Sequence, residues 1–73
     1  MQIEDYIESL GFQKLKWNVY GNDKGYEIHI EDGIKVINTE RSKVHEEPFI
    51  ELLLNHIPTK ETFLDLLRSS NIL

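Results

Sequence analysis

Tyr26-Glu27-Ile28-His29-Ile30-Glu31-Asp32-Gly33-Ile34-Lys35-Val36-Ile37-Asn38 is the stretch whose reading decides the fold. Two runs alternate apolar and polar residues on either side of Glu31-Asp32-Gly33, and period-two alternation marks half-buried strands. They read as an antiparallel hairpin, so the turn sets the register. A two-residue turn at Asp32-Gly33 would put Ile30 across from Lys35 and His29 across from Val36, mixing apolar with polar on both faces. A three-residue loop pairs Ile30 with Ile34 and Ile28 with Val36, which leaves one face apolar. Gly33 would then take the positive φ of a bulged turn.

Asn22-Asp23, just upstream, suits a tight turn. Closing the chain there pairs Val19 with Tyr26, Trp17 with Ile28 and Leu15 with Ile30, making strands of about 13–20, 26–30 and 34–38. The other face then sets Lys14 across from Glu31, Lys16 from His29 and Asn18 from Glu27, with Tyr20 and Ile37 at its margins. On this register Trp17 and Tyr26 point into the core and Tyr20 points out. Ahead of the strands, Ile3, Tyr6, Ile7 and Leu10 recur at i, i+3, i+4 and i+7, the stripe of a short amphipathic helix. Glu4, Asp5 and Glu8 lie opposite, and Gly11 stands at the C′ position.

Residues 39–47 contain a single aliphatic residue, Val44, and read as a loop. Pro48 suits the first turn of a second helix running to about His56, with Glu46 and Glu47 at the positive end of its dipole. Its apolar residues Phe49, Ile50, Leu52, Leu53, Leu54 and Ile57 would cover an arc of roughly 200°, too wide for contact with one layer. Pro58 ends it. Thr59 caps a third helix, Lys60 to about Ser70, whose inner face is Phe63, Leu64, Leu66 and Leu67. Ile72 and Leu73 either fold back or form an apolar tail. The expected architecture is one α+β domain over 1–73, ordered α-β-β-β-α-α, a three-stranded antiparallel meander with helices packed on one face.

Seventy-three residues fill one core and no second. The chain has no cysteine, so neither a disulfide nor a Cys-type zinc site supports so small a core, and a reducing cytoplasm suits it. Nothing in Met1–Asp5 resembles a signal peptide, and no run approaches the roughly 18 apolar residues of a membrane span. Net charge is −5, of which residues 1–11 carry −3. That balance opposes sequence-independent attraction to phosphate backbones.

The chemistry-bearing residues form no known constellation. His29, His45 and His56 come from a strand, a loop and a helix without metal-ligand spacing, so no metal or cofactor is expected. His56 falls between Leu52 and Phe49 on the buried arc, where a histidine bonded to a backbone group is the ordinary arrangement. Ser9, Ser42, Ser69 and Ser70 lie in no glycine-rich elbow, and Gly21 and Gly25 flank a hairpin rather than a strand-to-helix phosphate loop. Catalysis is not expected. Lys14, Lys16, Lys24 and Lys35 with outward Tyr20 give a thin basis for stacking single-stranded nucleic acid. The order helix, three strands, helix resembles that of double-stranded RNA-binding domains. Where such a domain presents a basic helix N-terminus, however, this chain has His45-Glu46-Glu47-Pro48.

The expected function is therefore non-catalytic protein binding by an accessory, adaptor or inhibitor protein. The alternatives are a weak nucleic-acid-binding domain using the outer sheet face and a small metal-dependent enzyme or enzyme subunit. Three surfaces compete for the partner: Glu4, Asp5 and Glu8 on helix one; Tyr20, Lys35 and Ile37 on the outer sheet; Ile50 and Leu54 on helix two. Strand 34–38 would be a poorly guarded edge, which also points to a homodimer.

Overall fold

The computed structural model describes residues 3–73. The reading of Met1 and Gln2 lies outside them. Among the described residues the order is α1 (Ile3–Ser9), β1 (Gln13–Lys16), β2 (Val19–Gly21), β3 (Tyr26–Ile30), β4 (Ile34–Asn38), α2 (Thr39–His45), β5 (Ile50–Leu54) and α3 (Lys60–Ser69). The strands form one antiparallel sheet in the order β1-β2-β3-β4-β5. The α+β class is as read from the sequence; the three-stranded meander and the helix order are matched only in part.

The deciding hairpin keeps its register. Ile30 pairs with Ile34, His29 with Lys35 and Ile28 with Val36. Gly33 does not take a left-handed φ; that conformation belongs to Gly25 (φ 89°), one hairpin earlier. Gly33 is needed instead for proximity, since a Cβ there would overlap the Leu54 carbonyl oxygen and come within 2.9 Å of Asn55 C and His56 N.

The first hairpins differ from expectation. Strand 13–20 is broken by a two-residue turn, Trp17-Asn18, with Asn18 at φ 62°. The β2–β3 loop is longer than a tight turn: Asn22 Oδ1 accepts from the backbone N–H of Lys24 and Tyr26, and Gly25 supplies the left-handed residue. Val19 consequently faces His29 rather than Tyr26, a slip of three residues. An odd slip exchanges the faces of a strand. Tyr20, expected outside, is 3% exposed in the core, whereas Trp17, expected inside, is 80% exposed.

The second helix is β5. Only nine residues separate Pro48 from Pro58, and Pro58 disfavours helical backbone at Ile57, so a helix there would be barely two turns. As a strand, the same residues pair Ile34 with Leu54 and Val36 with Leu52 and extend the sheet. Strand 34–38, read as an edge, is interior. His56 is exposed, its Nδ1 3.1 Å from Asn55 Oδ1.

Residues 39–45, read as loop, form α2, which buries no residue of its own. Side-chain bonds hold it. Asn38 Oδ1 accepts from Arg41 N–H, Ser42 Oγ donates to the Asn38 carbonyl, and Phe49 N–H donates to Ser42 Oγ, joining the helix to the start of β5. The Phe49 ring stacks with His45, centroids 5.6 Å apart, and the Arg41 guanidinium lies 5.1 Å from its centroid.

The core lies between one sheet face and helices α1 and α3. Ile7, Tyr20, Ile28, Ile34, Val36, Phe63, Leu67 and Ile72 form it. Helix α3 starts where expected, with Thr59 Oγ1 accepting from Thr62 N–H. It ends in a Schellman turn: Asn71, at φ 60°, donates to Arg68 O and Ile72 to Leu67 O. That turn carries Ile72 back into the core at 0% exposed. No described helix is long and apolar enough to cross a membrane.

Candidate interaction surface

With Ile28, Val36 and Leu52 turned toward the helices, alternation sends their neighbours to the second face of the sheet. A row runs Val19, His29, Lys35, Leu53 across β2 to β5, and beside it lies the row Gly21, Glu27, Ile37, Ile50. His29 Nε2 lies 3.1 Å from Glu27 Oε1, both half-buried at the middle of this face. A bulge in β1 between Lys14 and Lys16 frees Leu15 from the ladder. Its side chain lies over Gly21, filling the space a Cβ would take.

Helices α1 and α3 lie against the other face, and this one is open mainly at its edges: Val19 is buried in it, and Glu27, His29, Lys35 and Ile37 are half-buried. Leu53 is 67% exposed, Leu15 56% and Ile50 46%. Trp17 stands at the tip of the β1–β2 turn beside Lys16. A shallow groove of about 210 Å³ runs between the β3–β4 turn and β5, bounded by His29, Glu31, Asp32, Lys35 and Leu53. The face is thus apolar at both edges, with Glu27, His29 and Lys35 in the middle, and it is open and shallow rather than an enclosed small-molecule pocket.

The expected contact residues divide by face. Lys35, Ile37 and Ile50 do come together on the open face. Leu54 shares the β5 edge but turns to the helix side, across from Ile34. Glu4, Asp5 and Glu8 remain on α1, and Tyr20 is drawn beneath them. Burial first, then the charges of Glu8, Glu4 and Asp5, hold the Tyr20 phenol above its ordinary pKa. Sequence reasoning missed Leu15, Trp17 and Leu53 as surface residues. Asn18, suited to positive φ between Leu15-Lys16 and Val19-Tyr20, was the available sign of the first turn.

A second groove, about 340 Å³, opens where β1, β2 and β3 meet the start of α2, lined by Gln13, Asn22, Asp23, Tyr26, Glu27 and Thr39 among others. Its carboxylates, Asp23 and Glu27, do not converge with a third ligand; no group of three or more His, Cys, Asp or Glu residues among the described residues is placed to hold a metal ion. Compared with protein-family models, curated proteins and solved structures, the chain matches none.

Proposed function

We propose that the chain is a small non-catalytic protein-interaction module that binds through the open face of its sheet and the adjoining β5 edge, and that it works in the cytoplasm. The observation that carries this reading is the set of large apolar residues Leu15, Trp17, Ile50 and Leu53 left exposed on or beside that face, while the opposite face is filled by α1 and α3. Large apolar residues exposed together mark a contact surface, and Trp17 is the residue type among them best suited to anchor a partner. The acidic face of α1 is secondary on this reading, since isolated surface charges steer association more than they hold it.

Photo-cross-linking from the open face in source-cell lysate, followed by peptide mapping, tests the reading. Cross-linked proteins should be lost in a Leu15→Lys, Trp17→Ala variant and kept in a Glu4→Gln, Glu8→Gln variant. Equal capture by both variants would refute it.

One observation favours a second reading, weak binding of single-stranded nucleic acid. Trp17 is exposed and next in sequence to Lys16, the combination of ring and cation that such sites use. Tyr20 is lost to the core, so Trp17, in the β1–β2 turn, is the outward aromatic there, and the net charge of −5 opposes the contact.

A further inference from the structure

The β5 edge carries unburied apolar surface on both of its faces. Leu53 and Ile50 are exposed on the open side, Leu52 and Leu54 are half-buried on the helix side, and among the described residues no strand pairs the outer edge. Natural sheets guard such edges with lysine, proline or a bulge. The opposite edge, β1, has Lys14, Lys16 and a bulge. In β5 the bulge is confined to the Ile50 end, so Leu52 to Leu54 remain regular. Its single charge, Glu51, turns back to accept from Asn38 Nδ2 at 3.1 Å and does not guard the edge.

Resting on the interaction-module reading, we propose that β5 pairs antiparallel with β5 of a second copy about a two-fold axis at Leu53, continuing the sheet across a homodimer. The choice of occupant comes from self-complementarity. Facing residues in an antiparallel ladder share a side of the sheet. An axis at Leu53 sets Leu53 against Leu53 of the second copy on the open side and Leu52 against Leu54 on the helix side. Just outside this regular stretch, the bulge residue Glu51 lies toward Asn55, past the end of the second copy's β5. Apolar meets apolar, and no like charges face one another. An axis at Leu52 would put Leu53 against Glu51, an axis at Leu54 would put it against Asn55, and an axis between residues would pair opposite faces. The acidic surface does not obstruct the contact: Glu4, Asp5 and Glu8 lie on α1, which packs on the sheet through Ile7, and their charges act on Tyr20 of β2, three positions from β5 in the sheet.

Sedimentation equilibrium from micromolar to submillimolar protein should show the mass rising from 8.6 kDa toward twice that value. Leu53→Glu, which sets two carboxylates against each other at the axis, should raise the dimer Kd by about tenfold or more. The chain has no cysteine, so a Leu53→Cys variant offers a single thiol. Facing residues lie about 4.5–5.5 Å apart between Cα atoms, within disulfide reach. Mild oxidation should therefore link the Leu53→Cys chains in high yield and leave Trp17→Cys chains unlinked. A monomer throughout the range overturns the dimer, as does linkage at Trp17→Cys equal to that at Leu53→Cys. If Leu53→Glu fails to fold by circular dichroism, the cysteine pair decides alone. A monomer would leave capture of a different protein by the open face intact, whereas failure of the module reading shows separately, as capture indifferent to the Leu15→Lys, Trp17→Ala change.

Discussion

Gly33→Ala probes the point where the β3–β4 turn meets the end of β5. The added methyl group would overlap the Leu54 carbonyl oxygen and press on Asn55 C and His56 N, each 2.9 Å away. All three are backbone atoms, so no side chain can rotate aside; the end of β5 must move, and the Ile34–Leu54 pair must loosen with it. Overpacking of this kind costs about 1–3 kcal/mol, and a rigid neighbour places the cost near the upper end, about 3 kcal/mol. At about 0.05–0.15 kcal/mol per residue the whole domain has roughly 4–11 kcal/mol of stability, so the variant would lose a large share of it. For a chain of this length the melting temperature should fall by about 12–24 °C. Urea and thermal unfolding followed by far-ultraviolet circular dichroism measure the change, at one fixed protein concentration so that any association cancels. Trp17, 80% exposed, is a poor fluorescent reporter here. Gly11→Ala is the control: Gly11 is left-handed, at φ 98°, with nothing within 4 Å of a new Cβ. Backbone strain alone should cost it about 1 kcal/mol. Equal costs at the two glycines, or less than about 1 kcal/mol at Gly33, would refute the close-approach argument.

Thr59→Ala removes the acceptor for Thr62 N–H and should destabilise the domain by about 1 kcal/mol in urea unfolding, with recovery in Thr59→Ser. Tyr20 keeps its proton to higher pH when folded than when unfolded, because of burial and then Glu8, Glu4 and Asp5. Between the two pKa values the unfolded chain binds fewer protons, so this contribution to stability is complete below about pH 10 and is lost as pH rises through the folded value. Melting curves taken across that alkaline range should fall less steeply for Tyr20→Phe than for the parent chain. Fluorescence anisotropy with single- and double-stranded oligonucleotides at near-physiological salt should detect no binding tighter than about micromolar. Submicromolar binding abolished by Lys14→Glu with Lys16→Glu would make the nucleic-acid reading the correct one.

Local chemistry made several elements legible in the sequence. The stripe Ile3, Tyr6, Ile7, Leu10 and the stop at Gly11 specify α1; Thr59 and the spacing of Phe63 and Leu67 specify α3. Strict alternation on both sides of Glu31-Asp32-Gly33 specifies the β3–β4 register, since any odd slip would bury Lys35 and expose Val36. These features depend on residues close in sequence, where capping and periodicity act. The remainder turned on contacts between distant residues. Ile50-Glu51-Leu52-Leu53-Leu54 has no period that separates helix from strand, and what makes it a strand is β4 lying beside it with unpaired backbone groups. The face of β2 depended on a loop whose length is set by Asn22 and Gly25 together, which moved Tyr20 inward, while the turn at Trp17-Asn18 put Trp17 outside. Helix α2 has no apolar stripe to read, because Asn38, Ser42 and Phe49 hold it instead. The candidate surface follows from those same decisions: hydrophobic character could be read residue by residue, but which side of a five-stranded sheet stays uncovered is decided only when strand order and register are fixed together.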